Sequence, residues 1–440
     1  MINTEAENPW VERFTPYLSK DEIRKKVERR PRPLMDFDKL KPTQSSKEFN
    51  KRLEEVFFPS TQCIAILSEW LGLAIDHSQN HYQGRREFMV TVYGQDVPFP
   101  DFSYPICLTG LAGVGKSQVL KAIKRLMPSS GTFTGLDNTL FRLESNRILT
   151  IQAKASAIDV FYLLTGQRIA SNKLAEVARK HAYRDGLSFL GVDEFQFLTQ
   201  SDKANTRLVQ LLMLFGYIGL PVVYISNFSM LYKLLERNQE DRQRLLGTIR
   251  GLFPEAPDSK DWATLLDWHK KIAPDVFEFD AWSDAAAIHQ LTGGITRAEN
   301  KLLSIAFHRA MENGRGVGVQ ELESAYKSRD FAVYRTDIEL LAKIPYSSSL
   351  QKKHKDLWCP LEIQHTSPIE TFSVQRQDCV NAAALQASLN STEKKALKEQ
   401  TPKPLRKSKP QPSKNEPTDS SKSYAQQLKE NTAWFEKISK

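Results

Sequence analysis

The chain has 440 residues and a formal net charge of +9, enough length for two or three folding units with a sizeable core. No apolar run approaches the ~20 residues that span a bilayer, and the N-terminus MINTEAENPW lacks the charged-then-apolar order of a signal peptide. Membrane partners are therefore excluded and a cytoplasmic location is expected. The charge is uneven. Residues 391–415 hold seven Lys and one Arg against two Glu, a net +6, so only +3 is left for the rest. Such a tail is either an electrostatic handle for nucleic acid or acidic partners, or a solvated linker. The four cysteines, Cys63, Cys107, Cys359 and Cys379, show no metal or disulfide spacing, which fits a reducing compartment.

Residues 1–50 are polar and carry Pro31, Pro33 and Pro42. A basic cluster at Lys20–Arg32 reads as one or two helical turns ending before Pro31. The segment is expected to be an arm, and a candidate partner-binding one. Phe49–Ile75 reads as helical with a break at Pro59. Phe88–Tyr93 alternates like a strand or extends along a surface. VPFPDF (97–102) is a proline-set connector.

Tyr104–Thr109 is an apolar run of the kind that forms a buried strand. It leads into GLAGVGKS (110–117), a complete G-x-x-x-x-G-K-S phosphate loop. Val119, Leu120, Ile123 and Leu126 follow at helical spacing. Gly110, Gly113 and Gly115 allow backbone turns that a side chain would block, so that amides point at phosphate oxygens. Val114 and Gln118 belong to the same cradle. Lys116 places a charge on the β- and γ-phosphates of ATP, and the Ser117 hydroxyl is a Mg²⁺ ligand. An unrelated glycine-rich turn is the alternative, and the strand before and helix after argue against it.

Ile148–Ile151, Leu187–Val192 and Pro221–Ile225 are further apolar strands, with Thr248–Phe253 as a fifth candidate. Ala155–Thr165 and Ser171–Tyr183 read as helices, the second capped by Ser171. Continuous apolar strands alternating with helices predict an α/β fold: a parallel sheet covered on both faces. After Pro274 strands vanish, and Ser283–Leu291, Arg297–Glu312 and Val319–Tyr334 predict a small helical subdomain. Order fades beyond about residue 345. Residues 391–423 are too poor in apolar groups to fold alone, and Ser423–Ile438 is a last short amphipathic patch.

The third strand ends in Asp193-Glu194, the form of a Walker B motif. Asp193 is placed to orient Mg²⁺ through water, and Glu194 to polarise the water that attacks the γ-phosphate. The fourth strand ends in Ser226-Asn227. Asn227 is either a sensor holding that water or, like Ser226, a helix cap. Arg242 and Arg244 lie on a charged helix. Either one, Arg244 ahead of Arg242, could reach a neighbouring subunit's nucleotide, or both could belong to a solvated face. LTGGITR (291–297) starts a helix after a double-glycine turn and offers Arg297 to the γ-phosphate.

In this order the motifs resemble the AAA+ ATPases. More narrowly, GLAGVGKS, FLGVDEFQ, YISNFSM and LTGGITRAENKLL over about residues 50–330 resemble transposition regulators of the TnsC/TniB type. The long tail is more like TnsC. The resemblance implies a homo-oligomeric ring or helical filament on double-stranded DNA. It would link a target-selection protein to a transposase and use ATP and Mg²⁺. The implied organisation is an arm (1–50), an AAA+ domain with a helical N-terminal extension (51–272), a helical lid (273–340), and a flexible basic tail with a short terminal helix (341–440). Lys154, Lys173 and Lys180 are the candidate DNA contacts. A replication initiator or helicase loader is the alternative, though residues 345–440 hold little hydrophobic pattern for a winged helix. A protein-threading ATPase is disfavoured, because residues 152–156 (QAKAS) carry no aromatic where a pore loop would stand.

Overall fold

A computed structural model describes residues 8–15, 19–35, 40–94, 96–135, 137–152, 155–193 and 202–361, with backbone alone over 202–205. The chain divides into units 1–372 and 373–440, and all described residues lie in the first. Five helices come first: α1 (Pro9–Glu12), α2 (Lys20–Val27), α3 (Pro42–Glu55), α4 (Thr61–His81) and α5 (Arg85–Gly94). The α/β part runs β1 (Ile106–Thr109), α6 (Lys116–Leu126), β2 (Gly131–Thr134), β3 (Leu140–Leu143), β4 (Asn146–Thr150), α7 (Ala157–Thr165), α8 (Leu174–Arg184), β5 (Phe189–Asp193), α9 (Asp202–Gly216), β6 (Val222–Ile225), α10 (Phe228–Leu235), α11 (Gln239–Leu246) and β7 (Thr248–Gly251). The helical end holds α12 (Lys260–Lys270), α13 (Ala285–Thr292), α14 (Thr296–Asn313), α15 (Val319–Tyr326), α16 (Ala332–Lys343) and α17 (Ser348–Lys353).

The expected α/β fold is the one observed. Five parallel strands form one sheet in the order β4-β5-β6-β1-β7. β1 and β6 are buried along their whole length, which is why they read as unbroken apolar runs. Their side chains alternate between two cores. Ile106, Leu108, Val223 and Ile225 pack with α2, α4 and α6 on one face, while Cys107, Val222 and Tyr224 face the larger core on the other. Because the strands are parallel, the ends carrying Thr109, Asp193 and Ile225 share one edge. A ligand site belongs at that edge, where the chain leaves β1 and β6.

Four expectations need correction. Residues 8–50 are not a free arm: Trp10, Phe14, Ile23, Val27, Leu34 and Phe49 are all buried. Trp10 stacks on Tyr82 at 5.4 Å, and Arg13 Nη2 donates to Gly186 O at 2.9 Å. Leu34 N donates to Ile272 O at 2.7 Å, and Phe49 stacks on Phe307 at 4.3 Å, so the segment also grips the lid. Residues 85–94 are helical rather than extended, because Phe88 docks among Trp10, Phe133 and Phe141. Ser171 opens a 3₁₀ turn without capping it. The helix that Ser171 was expected to cap begins at Leu174; the serine that does cap a helix here is Ser156, in a capping box with Asp159 on α7. The stretch 319–334, read as one helix, is two, with a 3₁₀ turn at Arg329–Phe331 between them. Of the expected tail, 341–440, the first part is ordered, with α17 at Ser348–Lys353, and residues 362–440 lie outside the described residues.

Candidate active site

The phosphate loop joins β1 to α6 at the expected sheet edge. Gly113 has φ +86°, and a Cβ there would stand 2.7 Å from the Arg297 Cβ. The Arg297 amide donates to Gly113 O at 3.1 Å. Glycine is therefore required for the lid helix α14 to sit directly on the loop. Gly115, at φ +107°, leads into the first turn of α6. Lys116 is buried, and its Nζ donates to Gly110 O at 2.8 Å and Leu111 O at 2.7 Å. The ammonium is thus held inside the loop, where a bound phosphate would be cradled.

A cavity of about 580 Å³ opens over this loop. Gly113, Gly115, Lys116, Ser117, Gln118, Asp193, Asn227 and Arg297 all line it, from the loop, two strand ends and the lid. Ser117 Oγ donates to Asp193 Oδ1 at 3.1 Å, although β6 lies between their strands. A hydroxyl and a carboxylate side by side are hard oxygen donors, so the pair fits Mg²⁺. Asn227 is at the N-cap position of α10, but its side chain caps nothing and is left for the cavity. Arg297 is exposed, and Lys121 and Lys301 stand with it on the rim. Four cations thus surround a space suited to a polyanion. Glu194 follows the last residue of β5 and lies outside the described residues.

A second cavity of about 160 Å³ adjoins the first, with Val56, Phe57, Val114, Leu252, Phe253 and Trp262 in its walls. Gly110 sits between them, where a Cβ would meet Leu252 O at 2.2 Å. Cys63 is part of the wall; burial pushes its thiol up to about 11, so it packs as an apolar group. Glu255 accepts from Gln62 Nε2 at 3.0 Å, and burial raises its carboxyl. His269 and the fully buried Glu299 join α12 to α14 through a 2.6 Å contact at the cavity floor. The turn between α13 and α14, within the lid, is the double glycine Gly293-Gly294. A Cβ on Gly294 (φ +65°) would come within 2.6 Å of His289 Nε2, which contacts Glu255 O at 2.9 Å.

Other expected residues lie elsewhere. Arg242 and Arg244 do not line their own chain's cavity. Arg244 pairs with Glu240 at 2.8 Å and stacks over Phe102 at 5.4 Å. Arg242, two residues earlier and on the other side of the helix, is exposed and has no ion pair among the described residues. Lys180 pairs with Glu176 at 2.9 Å, and Lys173 also acts on that carboxylate. Lys154 lies outside the described residues. Asn300, Lys301 and Glu54 also line the site and were not anticipated. Asn300 is one turn beyond Arg297 on α14, so that signal was present in the sequence. Glu54 comes from α3, whose approach to the loop is purely tertiary and left no local trace.

No protein-family model and no curated protein matches the chain. Among solved structures it is similar to Cdc6p from Pyrobaculum aerophilum, at 16% identity and TM-score 0.37, over 66% of this chain and 79% of that one. The Aeropyrum pernix ORC1 protein, solved in complex with DNA, matches at 14% identity and TM-score 0.36, over 67% of this chain and 81% of that one. Domain III of the Thermotoga maritima replication initiation protein DnaA matches at 14% identity and TM-score 0.32, over 55% of this chain and 88% of that domain. Likenesses this distant say nothing about activity, which has to be read from the site itself.

Proposed function

We propose that the protein is an ATP-hydrolysing AAA+ regulator of DNA transposition. It assembles on double-stranded DNA in the cytoplasm and joins a target-selection protein to the transposase. The observation that carries the ATPase reading is the convergence of Lys116, the Ser117–Asp193 pair, Asn227 and Arg297 on one cavity, with an apolar cavity for the base beside it. The transposition role is supported by the resemblance of the four motifs and by the long basic tail.

Lys116 neutralises the β- and γ-phosphates, and loop amides hold their oxygens. Ser117 and Asp193 would hold Mg²⁺, which supplies charge neutralisation between the phosphates. Asn227 orients the attacking water, and Glu194 takes its proton as the new P–O bond forms and the β–γ bridge breaks. Arg297 meets the charge that develops on the γ-phosphate. A cation from the neighbouring subunit completes the site, and Arg242, free of the contacts that tether Arg244, suits that role better.

Two variants test this reading. Lys116→Ala should lose tight ATP binding, because the triphosphate loses its counter-ion in a partly dry cradle. Glu194→Gln should keep ATP bound, lower turnover by at least about 100-fold, and leave the assembly standing on DNA. Wild-type ATP affinity in the first, or normal turnover in the second, would remove the residue from its role. Assembly that engages a replication helicase rather than a transposase would favour the initiator alternative.

A further inference from the structure

The two cavities share a wall. Leu53, Glu54, Gly115, Gln118, Thr296 and Asn300 line both. A nucleoside triphosphate with its phosphates in the larger cavity and its base in the smaller one has to pass its sugar between these residues. Two of them offer acceptors to that sugar, one buried and one at the mouth of the site. Asn300 Oδ1 is buried and has no hydrogen-bond partner among the described residues. A buried acceptor without a donor is costly unless a ligand supplies one. Glu54 is exposed. Its helix neighbours Glu48 and Glu55 are paired with Arg52 and Arg32, whereas Glu54 has no ion pair among the described residues.

The two side chains come from different elements held in a fixed relation. Glu54 is on α3 and Asn300 on α14. These helices are joined by the Phe49–Phe307 stack and by the 3.0 Å contact between Ser46 Oγ and His308 Nδ1. We propose that Glu54 and Asn300 form a ribose clamp, each accepting a hydrogen bond from one of the sugar's two hydroxyls. The site would thereby select ribonucleotides over deoxyribonucleotides. An acidic side chain on a ribose hydroxyl is the chemistry by which dinucleotide folds hold their sugar, and an ionised acceptor makes the stronger bond. The clamp rests on the nucleotide reading above, and deepens it by naming the sugar.

Equilibrium binding of ATP, 2′-deoxyATP and 3′-deoxyATP to the full chain, Glu54→Ala and Asn300→Ala tests it. The wild type should bind ATP at least about tenfold more tightly than either deoxy analogue. Each variant should lose discrimination at one hydroxyl, with its ATP affinity falling to that of the matching analogue. Equal wild-type affinity for all three nucleotides would overturn the clamp and leave the nucleotide reading intact. So would undiminished discrimination in Glu54→Ala, whose exposed position keeps folding out of the result. Failure of the wild type to bind any of the three would overturn the nucleotide site, and the clamp with it.

Discussion

Gly113 and His289 set how the lid meets the phosphate loop. Gly113 lets Arg297 approach until its amide bonds the loop, and His289 ties the double-glycine turn to Glu255 O. Burial lowers the His289 pKa from its ordinary 6.5 to about 4, while the bond to Glu255 and the charge of Asp258 pull the other way. The folded value lies below the unfolded one, so the neutral ring is the native form. Its contribution is complete above pH 6.5 and is lost as pH falls through 6.5 towards 4, up to about 3 kcal/mol. Urea denaturation across that window should show the loss in the wild type. His289→Gln, which keeps a donor for Glu255 O, should flatten the curve by one proton. His77, His81 and His181, whose pKa values burial also lowers, remain in both proteins and contribute to the residual slope. An unchanged pH profile in the variant would mean that this turn does not depend on the neutral ring.

At the scale of elements, the N-terminal segment does more than its polar composition suggests. Trp10, Phe14, Ile23, Val27, Leu34 and Phe49 are buried, although Met35 and Leu40 stay exposed. Phe49 is fully buried against Phe307, so Phe49→Ala should cost about 3–5 kcal/mol. Deleting residues 1–50 should yield a chain that no longer melts cooperatively or binds ATP. A stable truncated protein with wild-type ATP affinity would show the segment to be dispensable. The central strands β1, β5 and β6 were legible because burial on both faces leaves an unbroken apolar run, and the phosphate loop because its geometry is local. The β2–β3 hairpin was not, since in β2 only Phe133 is buried and in β3 only Phe141 and Leu143. α5 was misread because the β-branched residues in REFMVTVY imitate a strand, while the docking of Phe88 decides its conformation. Pairing in space, rather than spacing in sequence, put Glu54 at the site.

At the scale of the whole molecule, neither Arg242 nor Arg244 lines its own chain's cavity, so the proposed trans role of one of them predicts hydrolysis that rises with protein concentration. Outside the tail segment the chain is close to neutral, and Lys173 and Lys180 share Glu176. One subunit therefore offers duplex DNA little net attraction. A ring or filament would repeat a small cluster along the helix, and phosphate contacts suit a protein that accepts many targets because they carry no sequence information. The tail, with +6 over residues 391–415, is the competing site. Nucleotide dependence separates the two, because a tail contact needs no ATP while an assembled surface does. Duplex binding should require a non-hydrolysable ATP analogue, tolerate any sequence and weaken steeply with salt. It should survive deletion of residues 391–440, which should instead impair coupling to the transposase. Binding measured on the truncated protein, with and without the analogue, decides the matter: loss of all DNA binding on truncation would make the tail the nucleic-acid site.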